Sequence, residues 1–552
     1  MSKENKGIDR SLIKRLLEAD CEDPLASSEQ LLSQEIPHGV DRRNFLIRSA
    51  VGGAAAVMMG HTVSAHERTA KAVATLPQAS SPKPPLAADL NVVKKGQGPV
   101  LTTADEFYKV GPGPSSSHTI GPMRITYDFY QRATKLPADK LARATKLQVN
   151  LFGSLSATGK GHGTERAALA GLVGKEPATV DPKFLDSLRD KPDQTFPVKL
   201  GDKSINVSLK DVIYDAPKGD FKHPNTMTVK LMAGNEALLE QEYYSVGGGF
   251  IEWKGYTPPK KNAPKYPFRL MKELRAHADS NKLSIAKVML ANEMSIAGRS
   301  EEEVYAFIDK IINAMVATVK SGLSMPEDDV LPGPIKLHSK AATVYKRAMD
   351  DKYAADKGIG ALSAFALAAS EENGRGHLVI TAPTGGSAGV MPALVHGLLE
   401  VRKLDRQKIR DGMLAALAIG YLCKHHATLS AAEGGCQAEI GVASAMAAAL
   451  TATAYDAESR VVENAAESAL EHHLGMTCDP VAGYVQVPCI ERCAFGAVKA
   501  WTAYAIASNE IASRHRVDFD ATVQALAQTA MDMNSKYKET SEAGLALSVV
   551  LC

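Results

Sequence analysis

Apolar and polar positions change their rhythm along the chain. Lys146-Leu147-Gln148-Val149-Asn150-Leu151 alternates with period two, and so does Thr226-Met227-Thr228-Val229-Lys230-Leu231. Such alternation predicts strands with one buried face. Gly234-Asn235 offers hairpin turn chemistry before a third strand over Gln241–Val246. Gly247-Gly248-Gly249 follows, a run able to take positive φ and to lie against another backbone or a ligand. Beyond the proline-rich joint in Tyr256–Tyr266 the spacing turns helical. Ser284–Ser295, Glu301–Lys320, Ala341–Met349 and Asp411–Leu422 all carry it. Ile440–Tyr455 is apolar nearly all round, yet it is about 16 residues long and bounded by Glu439 and Asp456. A central helix fits that length better than a membrane span. The predicted fold class is α+β: an N-terminal α/β domain over residues 101–255, a linker over 256–280, and an all-α domain over 281–552.

The front end has a different character. In DRRNFLIRSAVGGAAAVMMGHTVSA (residues 41–65), Arg42 and Arg43 precede Phe45-Leu46, and a Gly/Ala-rich apolar stretch ends in small residues. These are the parts of an export signal, and they resemble the twin-arginine type. The alternative is a short helix that happens to carry two arginines. The signal predicts a periplasmic protein, with the cytoplasm as the alternative location. Ser49–Gly60 is too short and glycine-rich for a stable membrane span. Residues 66–100 read as a linker, because PQASSPKPPL lacks the amide donors that a helix or ladder needs.

Charge narrows the class of partner. The 64 basic and 62 acidic residues leave a net charge of +2, which gives no footprint for nucleic acid. Aromatics are only 6% while Ala and Gly abound, which favours close-packed helices over a β-sandwich. The seven cysteines are Cys21, Cys423, Cys436, Cys478, Cys489, Cys493 and Cys552. A disulfide framework belongs to small, loop-rich chains, so clustering of six near the C-terminal end of this large one points to metal, cluster or thiol chemistry. Cys436, Cys478 and Cys489 each adjoin Gly or Pro at a predicted helix end, and their wide spacing is unlike the close pairs of a zinc site. Spacing alone is equally compatible with three buried, apolar thiols.

Longer stretches decide between these readings. GPGPSSSHTIGPMR, GSLSATGKGHGTERA, HPNTM and YYSVGGGFI, followed by ITAPTGGSAGVMPA, LSAAEGGCQAEIGVASAMAAA, ENAAESALEHHLGMTCDPVAGYVQVPCIERCAFGAVKA and KYKETSEAGLAL, run in one order from Thr103 to Cys552. Together they resemble the bacterial, single-chain, iron–sulfur L-serine dehydratases. The resemblance implies a [4Fe–4S] cluster on Cys436, Cys478 and Cys489, with one iron open to act as a Lewis acid on the substrate hydroxyl. It implies His162 as the base that takes the α-proton of L-serine and His118 as orienting the substrate. Ser115, Ser116, Ser117, Thr119, Asn225 and Thr384 become candidate substrate-binding residues, although the serines and Thr119 can equally cap a helix starting near Thr119. Cys552 would ligate the open iron at rest, and a homodimer is expected. Cys423 and Cys493 are read as core.

Lys424, in CKHHATLS, has no glycine-rich phosphate loop after it, so a solvated or helix-capping lysine is expected rather than a pyridoxal Schiff base. The family usually has Asn where Gly385 stands and Gly where Ala431 and Ala438 stand. Those departures leave two alternatives open: a dehydratase of another hydroxy-amino acid such as L-threonine, and a non-catalytic ligand-binding or regulatory homologue.

Overall fold

The computed structural model describes residues 98–257, 260–350 and 356–549. The predicted export signal, Cys21, most of the first linker and Cys552 lie outside the described residues.

The alternating segments become strands because each turns its apolar side to one sheet face. Strand β1 spans Lys109–Pro112, β2 Lys146–Leu151, β3 Phe196–Leu200, β4 Lys203–Val207, β5 Val212–Tyr214, β6 Thr226–Ala233, β7 Glu236–Ser245, β8 Ile251–Trp253 and β9 Leu378–Thr381. The main sheet has the order β5-β2-β6-β7-β8. Its β2–β5 pair is parallel and the other pairs are antiparallel. The predicted Gly234-Asn235 hairpin joins β6 to β7. Leu147, Val149 and Leu151 on β2, with Met227, Val229 and Leu231 on β6, are fully buried. Helices α1 (Gly121–Ala133), α2 (Ser154–His162) and α3 (Thr164–Leu172) belong to this part of the chain. Met123, Ile125 and Phe129 of α1 and Ala167–Leu169 of α3 share the sheet's hydrophobic core.

The second part is a helix bundle. Its long members are α4 (Ile285–Ala297), α5 (Glu301–Leu323), α6 (Lys357–Arg375), α7 (Arg406–His426), α8 (Val442–Ala454), α9 (Ser459–Glu471) and α10 (Cys489–Asn509). Every residue of α8 is buried, and it packs against α7, α9 and α10. Its alanines allow close approach on all sides, which is why the run reads as apolar without a polar stripe. Helix α5 starts where the sequence marks it: Ser300 Oγ accepts from Glu303 N at 3.2 Å, and the Glu303 carboxylate accepts from Ser300 N at 2.8 Å. Among the described residues no helix is long and apolar enough to cross a membrane.

One expectation needs correction: the second part is largely helical but not all-α. Strand β9 lies within it and pairs antiparallel with β1, from Lys109↔Thr381 to Pro112↔Leu378. A buried four-residue run such as LVIT carries no periodicity that separates strand from helix, and its partner lies far away in sequence. The chain leading into β1 also belongs with the helices, since Val100, Ala104, Phe107 and Tyr108 sit in the helical core. The β1–β9 pair thus joins the two parts directly beside the Ser115–Thr119 loop.

Candidate active site

Ser115 has an extended backbone (φ −128°, ψ 134°), and its hydroxyl accepts from His118 N at 3.1 Å. It therefore caps the turn that follows. That turn, Ser116–Ile120, is wider than an α-helical turn and runs straight into α1, so the helix expected near Thr119 begins as a π-turn at Ser116. Wide turns of this kind set side chains out of helical register, often at functional sites. Here the turn delivers His118 into the interior with no exposure.

The second histidine ends α2. Gly163 closes that helix in the left-handed region (φ 60°), a conformation glycine adopts without cost. Reciprocal ties bind the two histidine segments: Thr119 Oγ1 donates to His162 O at 2.8 Å, and Thr164 Oγ1 donates to His118 O at 2.5 Å. The imidazole centroids stand 4.7 Å apart, tilted by 33°.

Their hydrogen bonds separate their roles. His118 engages both ring nitrogens, Nδ1 with Ser117 Oγ and Nε2 with Ser154 Oγ, each at 2.9 Å. Burial, then the nearby His162, pushes its pKa down to about 4, so it stays neutral near pH 7. His162 Nδ1 lies 2.9 Å from Thr158 O, which can only accept. In the neutral imidazole this contact places the proton on Nδ1 and leaves a lone pair on Nε2. Nε2 is buried with no hydrogen-bond partner, and the closest charged group is Glu539 Oε1 at 3.6 Å. Burial works against ionising Glu539, yet His162 and then His118 hold its carboxyl below the usual range.

Glu539 also links the histidines to the cysteines. Its N–H donates to Cys478 O at 2.8 Å, and Cys478 N donates to Tyr537 O at 2.8 Å. Cys436 lies between the short helix Ala431–Gly434 and a second π-turn over Gln437–Gly441, and Cys489 opens α10. All three thiols are buried and free. Cys436 shares hydrogen bonds with both Cys478 and Cys489, and these, followed by Arg492, favour its thiolate far below the ordinary thiol range. Arg492 Nη1 donates to Cys436 Sγ at 3.3 Å, while Nη2 lies 3.3 Å from Asp479 Oδ1. Their hydrogen bonds to Cys436, then burial, push Cys478 and Cys489 up. Cys436 hydrogen-bonds to both of the other thiols, and among the described residues no three His, Cys, Asp or Glu groups surround a single-ion point. Three buried thiols, with hydrogen bonds among them and a guanidinium beside Cys436, suit a soft, thiophilic centre better than a hard cation.

The Thr384 turn completes the surroundings. Glu439 shares a hydrogen bond with Thr384, and burial, then Glu539 and Cys436, raise its carboxyl well above the usual range. A Cβ on Gly386 would lie 2.5 Å from Glu439 Oε2. A Cβ on Gly385 would lie 2.9 Å from both Pro114 O and Ser116 N, so the serine loop occupies the space an asparagine side chain would need. Gly385→Ala is expected to raise KM for the substrate and to cost roughly 1–3 kcal/mol of stability; steady-state kinetics and thermal unfolding check both. Asn225 Nδ2 donates to Ser245 O at 3.1 Å, and Ser245 Oγ donates to Ser117 O at 2.7 Å. The buried Asn225 Oδ1 has no partner.

Of the predicted substrate-binding residues, Ser115 and Thr119 are thus engaged in capping and cross-linking. Ser116, Ser117, Asn225 and Thr384 belong to segments that converge on the same region. Ser154, Glu439, Glu539 and Arg492 were not singled out from sequence, although each lies inside one of the matched stretches. Cys423 is buried in α7, as expected. Cys493 is more than core filling, because its thiol donates to Gly386 O at 3.3 Å. Ala431 and Ala438 are buried beside Cys436. Lys424 corrects an expectation: it is not solvated. Its ammonium sits 3.7 Å from the Phe250 ring centroid, and burial pushes its pKa down to about 8. A helix end packed under the Gly247–Gly249 turn buries a lysine that an isolated helix end would expose.

A mixed sheet domain thus precedes a largely helical one, and the histidine pair is linked through Glu539 to the segment of Cys478. The serine dehydratase beta chain family matches residues 103–256, and the serine dehydratase alpha chain family matches residues 280–546. The chain belongs to the L-serine dehydratase family. It is 39% identical over 462 residues to L-serine dehydratase TdcG of Escherichia coli, covering 82% of this chain and 100% of that protein. An L-serine dehydratase of Haemophilus influenzae is 37% identical over 455 residues, covering 81% and 98%. One from Streptomyces coelicolor is 38% identical over 456 residues, covering 81% and 99%.

Proposed function

We propose that this chain is an L-serine ammonia-lyase that converts L-serine to pyruvate and ammonia, with a [4Fe–4S] cluster on Cys436, Cys478 and Cys489. The observation that carries the reading is the unpartnered lone pair of His162 Nε2. It faces Glu539, whose backbone is hydrogen-bonded to Cys478. The base and the cluster ligands therefore belong to one site.

When bound, the cluster supplies a Lewis-acidic iron that makes the substrate hydroxyl a better leaving group. The chain's own residues do the rest. His162 Nε2 takes the α-proton, while Thr158 O keeps the other ring proton on Nδ1. Ionised Glu539 stabilises the imidazolium that results. Neutral His118, fixed between Ser117 and Ser154, holds the serine loop in place so that Ser116, Ser117, Asn225 and Thr384 can bind the substrate's carboxylate and ammonium. Loss of hydroxide leaves an enamine, which tautomerises and is hydrolysed to pyruvate and ammonia. Cys552, outside the described residues, would be the chain's resting ligand for the open iron. The test is turnover by anaerobically reconstituted protein: L-serine should give pyruvate and ammonia in equal amounts, faster than L-threonine is converted. A loaded cluster without turnover would favour a binding protein instead.

A homodimer is part of the same reading, and the exposed Phe495, Ile506 and Ile511 supply apolar surface for the contact. Periplasmic export is proposed from Arg42 and Arg43. Arg42→Lys/Arg43→Lys should leave the protein in the cytoplasm of fractionated cells, and an unchanged distribution would mean that the segment is not an export signal.

A further inference from the structure

A cleft of about 260 Å3 lies on the outer side of the catalytic helix turn, between the two parts of the chain. Pro114, Gly161, Gly333 and Gly376 form part of its wall, so it borders both histidine segments. Four cations line it, Lys160, Arg166, Arg189 and Arg375, with Glu165. Two of the four are already matched. Arg189 pairs with Asp186 at 3.1 Å and Asp190 at 3.4 Å, and Arg375 pairs with Asp329 and with Glu372 at 3.0 Å. Glu165 accepts a hydrogen bond from the Tyr214 hydroxyl.

Arg166 and Lys160 are the remainder. Among the described residues neither side chain makes a hydrogen bond or an ion pair, and Lys160 meets only the Tyr214 ring, at 5.7 Å. Arg166 folds over the backbone just after His162: a Cβ on Gly163 would lie 2.4 Å from its Nη2. Burial lowers the Arg166 pKa, and the nearby carboxylates of Glu165 and Asp186 offset this only in part without hydrogen-bonding to the guanidinium. The Tyr484 hydroxyl, in the same wall, has no partner among the described residues either. A half-buried guanidinium is normally bonded, because it carries five donors in a rigid fork suited to an oxyanion.

We propose that this cleft is a second binding site for a small carboxylate, held by the guanidinium of Arg166, the ammonium of Lys160 and the hydroxyl of Tyr484. Two free cations beside one carboxylate suit a monoanion better than a doubly charged phosphate. The choice of carboxylate also rests on the proposed reaction, whose substrate and product both carry one.

Equilibrium dialysis of the anaerobically reconstituted enzyme with radiolabelled pyruvate tests the site. Expected is an equivalent of bound pyruvate whose Kd rises at least about tenfold in Arg166→Met and in Lys160→Met, the loss of one charge-assisted contact. Lys160 is exposed, so its replacement leaves the core and the kcat for L-serine unchanged. If L-serine displaces that equivalent, the substrate shares the site; if it does not, the product is the occupant, and both results support a carboxylate site. Wild-type affinity in both variants overturns the proposal, as does binding of inorganic phosphate where pyruvate does not bind. Absence of L-serine turnover would count against the proposed reaction while leaving the binding measurement intact.

Discussion

His162→Gln is expected to lower kcat for L-serine by about 10^2 to 10^4, the usual contribution of a positioned general base. Glutamine can still donate to Thr158 O through its amide, so the end of α2 and the Gly163 turn should keep their shape. What disappears is the lone pair at Nε2, the buried ring nitrogen of this histidine pair that the protein leaves without a partner. His118 cannot take over, because Ser117 and Ser154 occupy both of its nitrogens. Bound iron and sulfide should match wild type, which distinguishes loss of the base from loss of the site. An enlarged isotope effect with α-deuterated L-serine would show that proton abstraction has become rate-limiting.

Cys436→Ser is expected to abolish both cluster loading and turnover. Cys436 is the thiol that hydrogen-bonds to both Cys478 and Cys489, and these bonds, followed by Arg492, favour its thiolate. Serine is a poor ligand at neutral pH because its hydroxyl stays protonated, and Arg492 would then keep Asp479 alone as its ionic partner. Cys423→Ser is the control. Its thiol is fully buried and pushed up by burial alone, so the exchange should cost roughly 1–3 kcal/mol of stability yet leave iron content unchanged. Iron and acid-labile sulfide per chain, with thermal unfolding, separate the two outcomes.

The legible parts of the fold were those whose pattern is local. β2 and the β6–β7 hairpin follow from alternation and from Gly234-Asn235, and α8 from an apolar run bounded by Glu439 and Asp456. β9 was not legible, because its identity comes from pairing with β1 at the other end of the chain. Lys424 was misread for a related reason: the Phe250 ring that covers it belongs to a distant turn. At the site, residue types and matched stretches picked out both histidines and the cysteines. The split into His162 as base and His118 as orienting group came with the matched stretches, but its physical basis lies in which nitrogen each neighbour occupies. Ser154 and Glu539 act on the histidines across folded contacts that no spacing encodes, whereas Thr158 acts along its own helix, four residues before His162. Gly385 shows the same limit in reverse: a missing side chain in the sequence proves to be a place where two backbones meet.

The central claim is that dehydration of L-serine depends on a cluster held by the three cysteines beside His162. Its most direct test is to load the protein anaerobically to graded extents and to measure pyruvate formation against bound iron and sulfide. The account predicts turnover that rises in proportion to loading and is absent from metal-free protein. Equal turnover by metal-free protein would contradict it.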